Sequence, residues 1–293
     1  MLIVVDGGAS RCRAAAFDER GQRCAEVAID AHASLSLGVE AAAATVAQAI
    51  GALAQRLDRP EGWAPPRLVL GLAGSLGALR RQAFIQRLRT DQLVDARRDG
   101  RIQVITDGQA QLLGATGGRA GTCVAIGTGS VVHWQDESGR FGMGGGWGFP
   151  VGDEGSAAWL GVQALSAWIG ERDRSAGRAA TASTLYAALH DRIGDDIGEI
   201  QRWTTCTVSG ELGRLAPLVS AAADAGDPVA VAIRQRGAQA CEALFALAPA
   251  GLPRWLSGGL AEVYRPVLTA AGHRLERSAG DALSGLQRYA AMR

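Results

Sequence analysis

Val4-Val5-Asp6-Gly7-Gly8-Ala9-Ser10 and Val124-Ala125-Ile126-Gly127-Thr128-Gly129-Ser130 open the two halves of the chain in the same way. Each is an apolar run ending in a Gly-rich turn that carries a hydroxyl. A second apolar run follows, Arg13 to Phe17 or Val131 to Trp134, and then a D-E-x-G turn, Asp18 to Gly21 or Asp136 to Gly139. Apolar runs bounded by such turns read as β-hairpins, and the pair reads as a duplicated fold.

The elements between the two hairpins agree. Val39 to Leu57 is Ala-rich with helical periodicity, Leu68 to Gly74 is a buried strand ending in Gly, and Leu79 to Leu88 is amphipathic. Ile102 to Thr106 predicts another strand, with Asp107 at its carboxyl end and a helix over Gln109 to Ala115. The second half predicts helices over Glu154 to Trp168, Thr181 to Arg192, Leu212 to Ala225 and Val229 to Ala246, a strand at Trp255-Leu256-Ser257, and a last helix over Ala282 to Met292. The reading is α/β with two lobes, 1–117 and 118–293, in which the last helix, from about 281, packs back on the first lobe. Arg59 to Pro66 reads as a surface loop and Gly117 to Gly121 as the hinge.

Composition narrows the function. The chain has 293 residues, 47% apolar and 20% charged, which is enough for a sizeable core and far from the composition of disorder. Thirty basic against twenty-nine acidic residues leave a formal charge of +1, so no field points to nucleic acid or an anionic membrane. All the basic residues are Arg and there is no Asn. Without Lys there is no G-x-x-x-x-G-K-[ST] loop and no Schiff-base chemistry. Cys12, Cys24, Cys123, Cys206 and Cys241 form no C-x-x-C pair, and the four His never fall at metal-ligand spacing, so neither a zinc site nor a disulfide framework is expected. Met1 to Asp6 reads as a strand rather than a secretory signal, and the expected location is the cytoplasm.

Four stretches can carry chemistry. Gly7 and Gly8 let backbone amides converge on phosphate oxygens, Ser10 adds a donor, and Asp6 can hold Mg²⁺ through water. Gly127-Thr128-Gly129-Ser130 repeats that arrangement. Taken singly, each is equally an ordinary hairpin turn. Arg11 and Arg13 can add positive charge there, or be solvated edge-strand residues. Asp107 stands where α/β sheets place ligands and can accept a hydroxyl proton; it can also cap the helix that follows. In Gly142 to Ser156, seven glycines surround Trp147 and Phe149. Either aromatic offers a sugar an apolar face, and Asp153 or Glu154 can bind hydroxyls, while Asp153 also reads as an N-cap.

With these residues in place, the sequence resembles the BadF/BadG/BcrA/BcrD-type ATPase family of the sugar kinase, Hsp70 and actin superfamily, and within it the N-acetylglucosamine and glucosamine kinases. The likeness spans nearly the whole chain. It rests on Asp6 to Arg11, Thr106-Asp107, Ile126 to Ser130, Gly145 to Gly148 with Gly152 to Ser156, and Ser257-Gly258-Gly259. The resemblance implies a two-lobed actin-like (ribonuclease H-like) fold with duplicated βββαβα domains and an active site in the interlobe cleft. It implies ATP bound by Gly7, Gly8, Ser10, Arg11, Gly127, Thr128 and Gly129, with Gly258 and Gly259 at the adenosine. Mg²⁺ would sit at Asp6, and Asp107 would be the base toward the sugar 6-hydroxyl. Ser34, Ser130, Gly146, Trp147, Gly148 and Asp153 would surround the amino sugar. Relatives often dimerise, so a homodimer is expected.

Two departures bear on this. Ser10 stands where many relatives have Thr, which keeps the hydroxyl. Relatives carry an Asn in a G-x-A-N-like segment touching the sugar, whereas Ala31-His32-Ala33-Ser34-Leu35 offers only Ser34, one hydroxyl in place of a paired donor and acceptor. N-acetylglucosamine is the expected substrate and glucosamine the runner-up. An ATPase activator of a reductase or dehydratase would need cysteines gathered around an iron–sulfur cluster. A non-catalytic sugar sensor remains a third alternative.

Overall fold

The computed structural model describes residues 1–9, 11–60, 62–93, 102–175 and 183–292. They gather into two compact units, Met1–Arg119 with Arg277–Arg293, and Ala120–Glu276.

In the first unit β1 (Leu2–Gly7), β2 (Cys12–Phe17) and β3 (Arg23–Ile29) form an antiparallel meander. β4 (Leu68–Leu72) and β5 (Ile102–Ile105) add in parallel, and the order is β3-β2-β1-β4-β5. Parallel strands need long crossovers, supplied here by α1 (Val39–Arg56) and α2 (Ala78–Thr90), with α3 (Asp107–Thr116) after β5. Strand alternation puts Ile3, Val5, Ala14 and Ala16 in one core with Ala42, Ala43, Val46 and Leu53 of α1. The other face, to which Val4 and Asp6 belong, carries α3 and α11 (Ala282–Ala291). These two helices meet backbone to backbone. A Cβ on Gly114 of α3 would stand 2.1 Å from the Asp281 carbonyl oxygen, and one on Gly285 of α11 only 1.9 Å from that of Ala110.

The second unit repeats the plan. β6 (Gly121–Ile126), β7 (Ser130–Gln135) and β8 (Phe141–Gly145) form the meander, and β9 (Arg254–Ser257) pairs in parallel with β6, in the order β8-β7-β6-β9. The repeat extends to single hydrogen bonds. In the first meander Asp18 Oδ1 accepts from the amides of Arg20 (2.9 Å) and Gln22 (2.8 Å). In the second, Asp136 Oδ1 accepts from those of Ser138 (3.0 Å) and Arg140 (2.9 Å). Where β5 would fall, the described residues hold one parallel bridge, Leu275 to Arg254. Between β8 and β9 run α4 (Ala157–Arg174), α5 (Thr184–Ile193), α6 (Ile197–Thr204), α7 (Ser209–Gly213), α8 (Ala216–Asp224) and α9 (Pro228–Phe245), with α10 (Ala261–Ala270) after β9.

Several boundaries differ from the periodicity reading. The helix expected over Leu212 to Ala225 is broken into α7 and α8, because Pro217 fits only the first turn of a helix. The residue-by-residue reading named neither α6, α10 nor β8, although the βββαβα plan implied by the resemblance calls for a third strand where β8 lies. Thr181, in the expected start of α5, lies outside the described residues. Among the described residues no single helix is long and apolar enough to cross a membrane.

Candidate functional site

In the first unit the parallel strands β1, β4 and β5 bring their carboxyl ends to one edge of the sheet, where such folds present ligand-binding groups. Gly7 ends β1, and a Cβ there would stand 2.6 Å from Leu72 Cδ2 and 2.7 Å from Ala33 Cβ, so the close approach requires glycine. The turn closes with the Gly8 amide donating to the Arg11 carbonyl at 3.0 Å. Segment 31–35 runs alongside: Ala33 N donates to Gly8 O at 3.0 Å and Leu35 N to Ala73 O at 2.8 Å. Ser34 is therefore buried at the flank of the turn, its Oγ accepting from the Ser36 amide at 3.3 Å. Arg11 is exposed, its Nε 3.6 Å from an Asp30 oxygen. Ser10 lies outside the described residues.

Asp107 begins α3, but Thr106 is the N-cap, its Oγ1 accepting from the Gln109 amide at 3.0 Å. Thr106 is thus the N-cap, while the Asp107 carboxylate lies at the first amides of α3. Burial pushes its pKa up, the nearby Asp6 charge pushes it further, and the amides of Gly108 and Asp107 itself pull against them. Asp6 is likewise raised by burial and opposed by Arg13, whose Nη2 donates to Asp6 Oδ2 at 2.8 Å.

Arg13 corrects an expectation. It faces Asp6 across the β1–β2 ladder, β2 is an inner strand, and the guanidinium is partly buried, so it is no solvated edge residue. Its Nη1 lies 3.4 Å from Asp281 Oδ2. Asp281 caps α11 through Ser284 N (2.9 Å) and also accepts from Arg23 Nη2 at 2.9 Å. Burial alone would raise Asp281; the hydrogen bonds from Ser284 and Arg23 overcome it and bring the pKa down to about 2. The sequence reading missed Asp281, which lies 268 residues along the chain from Arg13 and leaves no local signal.

In the second unit the turn is tighter, with Gly127 N donating to Gly129 O at 2.9 Å and Thr128 exposed at the tip. The turn is tied to α4, whose Ala157 amide donates to Gly127 O at 2.8 Å. Ser130 is buried and donates its hydroxyl to the Glu154 carbonyl at 2.8 Å, which leaves only its lone pairs for a ligand. Ser156, not Asp153, caps α4. Asp153 has left-handed backbone (φ 65°) and lies against Gly129. Gly258 and Gly259 sit at the carboxyl end of β9 beside this turn, with Leu260 N donating to Ile126 O at 3.1 Å. Trp147, between Gly146 and Gly148, is 86% exposed. An indole left in water by its own fold is an open apolar face.

Among the described residues no group of three or more His, Cys, Asp or Glu could enclose a metal ion. Mg²⁺ needs no such cage: it keeps several waters and takes one or two carboxylates plus substrate phosphates. Asp6, with Asp107 in electrostatic reach, fits that pattern.

Residues 4–248 match the BadF/BadG/BcrA/BcrD ATPase family. A glucosamine kinase of Vibrio cholerae is 29% identical over 267 residues, 89% of this chain and 85% of that protein. A solved structure from Chromobacterium violaceum, provisionally named an N-acetylglucosamine kinase, is 32% identical with a TM-score of 0.83, covering 98% of this chain and 97% of that one. A ROK family glucokinase of Streptomyces griseus, solved with glucose and AMPPNP, shares the fold at 17% identity and a TM-score of 0.54, covering 99% and 98%. With a family match across most of its length and the same fold in these structures, this chain belongs to the BadF/BadG/BcrA/BcrD ATPase family.

Proposed function

We propose that the chain transfers the γ-phosphoryl group of ATP to the 6-hydroxyl of N-acetylglucosamine. The observation that carries this is Asp107, a partly buried carboxylate with raised proton affinity at the carboxyl end of the sheet, beside an N-cap supplied by Thr106. The names of the Vibrio cholerae and Chromobacterium violaceum relatives support an amino-sugar acceptor. In the proposed reaction Asp107 takes the proton from O6 as O6 bonds to the γ-phosphorus. The bond to the β–γ bridging oxygen breaks, and ADP leaves with that electron pair. Phosphoryl transfer asks the protein mainly for positioning and charge stabilisation. The Gly8 and Gly127 amides already bond the Arg11 and Gly129 carbonyls, so the turn amides of Ala9, Thr128 and Gly129 offer the latter, Trp147 an apolar sugar face, and Asp153 an acceptor for hydroxyls. Asp6 would hold Mg²⁺, which when bound neutralises charge on the phosphate oxygens. The proposal includes a homodimer, checked by light scattering.

Glucosamine is the second reading, because one relative is a glucosamine kinase and Ser34 offers a single hydroxyl in place of an amide's paired donor and acceptor. The test is ADP release with Mg²⁺ and ATP on N-acetylglucosamine, glucosamine, glucose, N-acetylmuramic acid and no sugar, with ³¹P NMR of the product. Stimulation by N-acetylglucosamine with a 6-phosphate product supports the proposal, and stimulation by glucosamine alone moves the substrate. ATP hydrolysis indifferent to sugar would replace the kinase reading with the ATPase alternative.

A further inference from the structure

Asp6 and Asp107 are both set by the last helix of the chain. α11 seats α3, the helix that Asp107 begins, through the glycine contacts of Gly114 with Asp281 and of Gly285 with Ala110. The same Asp281 that caps α11 reaches Arg13, and Arg13 reaches Asp6. Arg13 binds only Oδ2 of Asp6. Among the described residues Oδ1 accepts no hydrogen bond, so the guanidinium holds Oδ2 and leaves one oxygen for a ligand. Arg23, with Glu26 at 2.7 Å, holds Asp281 Oδ1 at 2.9 Å and keeps Oδ2 turned to Arg13.

We propose that Arg13 and Asp281 are positioning residues: Asp281, fixed at the start of α11, orients Arg13, and Arg13 holds Asp6 with one oxygen presented to the divalent cation that accompanies the nucleotide. The inference rests on the kinase reading for the identity of that cation. Neither residue touches substrate. Removing partners that orient a metal-binding carboxylate costs about tenfold or more in metal affinity or activity.

The test compares wild type with Arg13→Gln, Arg13→Lys and Asp281→Asn. Asn caps a helix as well as Asp does, so Asp281→Asn keeps α11 capped and removes only the charge facing Arg13 and Arg23. Three quantities are measured: Mn²⁺ binding in the presence of ADP by electron paramagnetic resonance, the Mg²⁺ dependence of ADP formation against the sugar KM, and the melting temperature. The expected result is Mn²⁺ binding and Mg²⁺ activation weakened about tenfold in Arg13→Gln, less in Asp281→Asn, and partly restored in Arg13→Lys. Sugar KM should stay within about twofold, because uniform sugar binding is untouched. The double variant Arg13→Gln/Asp281→Asn should be no worse than Arg13→Gln, since Asp281 acts through Arg13.

Metal affinity unchanged in both Arg13→Gln and Asp281→Asn, or additive losses in the double variant, would overturn the proposal, as would a loss of melting temperature with no change in metal dependence. Should Arg13→Gln fail to fold, Arg13→Lys and Asp281→Asn decide. Because Mn²⁺ binding needs no turnover, a wild type inactive on every sugar sinks the kinase reading and leaves this test standing.

Discussion

Gly129 lies directly against Asp153: a Cβ at position 129 would stand 2.6 Å from Asp153 Oδ2 and 3.1 Å from its Cγ. The turn expected to cradle phosphate and the acid expected to bind sugar hydroxyls are thus one van der Waals contact apart. Asp153 has left-handed backbone and a half-buried side chain, so a Cβ at 129 would push its carboxylate aside rather than its backbone.

Gly129→Ala should therefore displace Asp153 without unfolding the unit. A shift of about 1 Å in a positioning group costs up to roughly a hundredfold, so kcat/KM for the sugar is expected to fall by at least about tenfold at a nearly unchanged melting temperature. Steady-state kinetics with each substrate varied in turn checks this. Unaltered sugar kinetics would mean that Asp153 does not serve the acceptor.

Asp107→Asn should leave ligand binding intact and lower kcat by about 10²–10⁴, the usual worth of a general base. In wild type, kcat/KM should rise with pH along a limb above the ordinary carboxylate range, since burial and Asp6 both raise this group. The limb should vanish from the residual activity of the variant. The stability sign follows from the same shift. A carboxyl raised in the folded state favours folding while protonated and loses that contribution as pH rises through its folded pKa. Asp107→Asn is therefore expected to melt at or above the wild-type temperature at neutral pH.

His133, buried in β7 opposite Cys123 and Met143, is brought down by burial to about 4 from 6.5. It is neutral in the folded chain and charges readily only when unfolded. Stability should be intact above pH 6.5 and be lost progressively as pH falls toward 4, by about 3 kcal/mol for this group. Denaturant titrations across that range should show the slope, and His133→Phe should flatten it.

Asp227 joins the starts of two helices. Its Oδ1 accepts from Val229 N (2.9 Å) and Ala230 N (3.0 Å) of α9, and its Oδ2 from Ser183 Oγ (2.7 Å) and Leu185 N (3.2 Å) at α5. Asp227→Ala strips a cap and leaves buried donors unpaired, an expected loss of about 2–4 kcal/mol with turnover per folded molecule unchanged. Burial would raise this carboxyl and the hydrogen bonds lower it overall, so its contribution is present at neutral pH and disappears in acid. A melting temperature within about 1 °C of wild type would contradict the double-cap reading.

The hairpin repeat, the parallel strands and Asp107 were legible because each rests on local chemistry: apolar runs, turn residues, and an acid at a strand end. β8 was not. Phe141–Gly145 reads as loop because three of its five residues are glycine, yet those glycines are what admit its neighbours. A Cβ on Gly142 would lie 2.0 Å from the Trp134 ring, on Gly144 2.8 Å from Leu247, and on Gly145 2.7 Å from Leu244. The strand is specified by partners about a hundred residues away in Leu244 and Leu247, which no local window contains. Arg13 was legible as a cation but not as the partner of Asp6, because that assignment needs the cross-strand register and Asp281 from the far end of the chain.

The first unit is discontinuous in sequence, and this bears on synthesis. A ribosome emits β1 to α3 early, but the helix that seats α3 and the acid that reaches Arg13 emerge only after all of Ala120–Glu276 has been made. Domains generally fold as they emerge, so the second unit can complete itself while the first still waits, with the face bearing Val4 and Asp6 open to water and chaperones. A nascent chain stalled before residue 277 would lack α11 and Asp281, and so could complete the second unit but not the first.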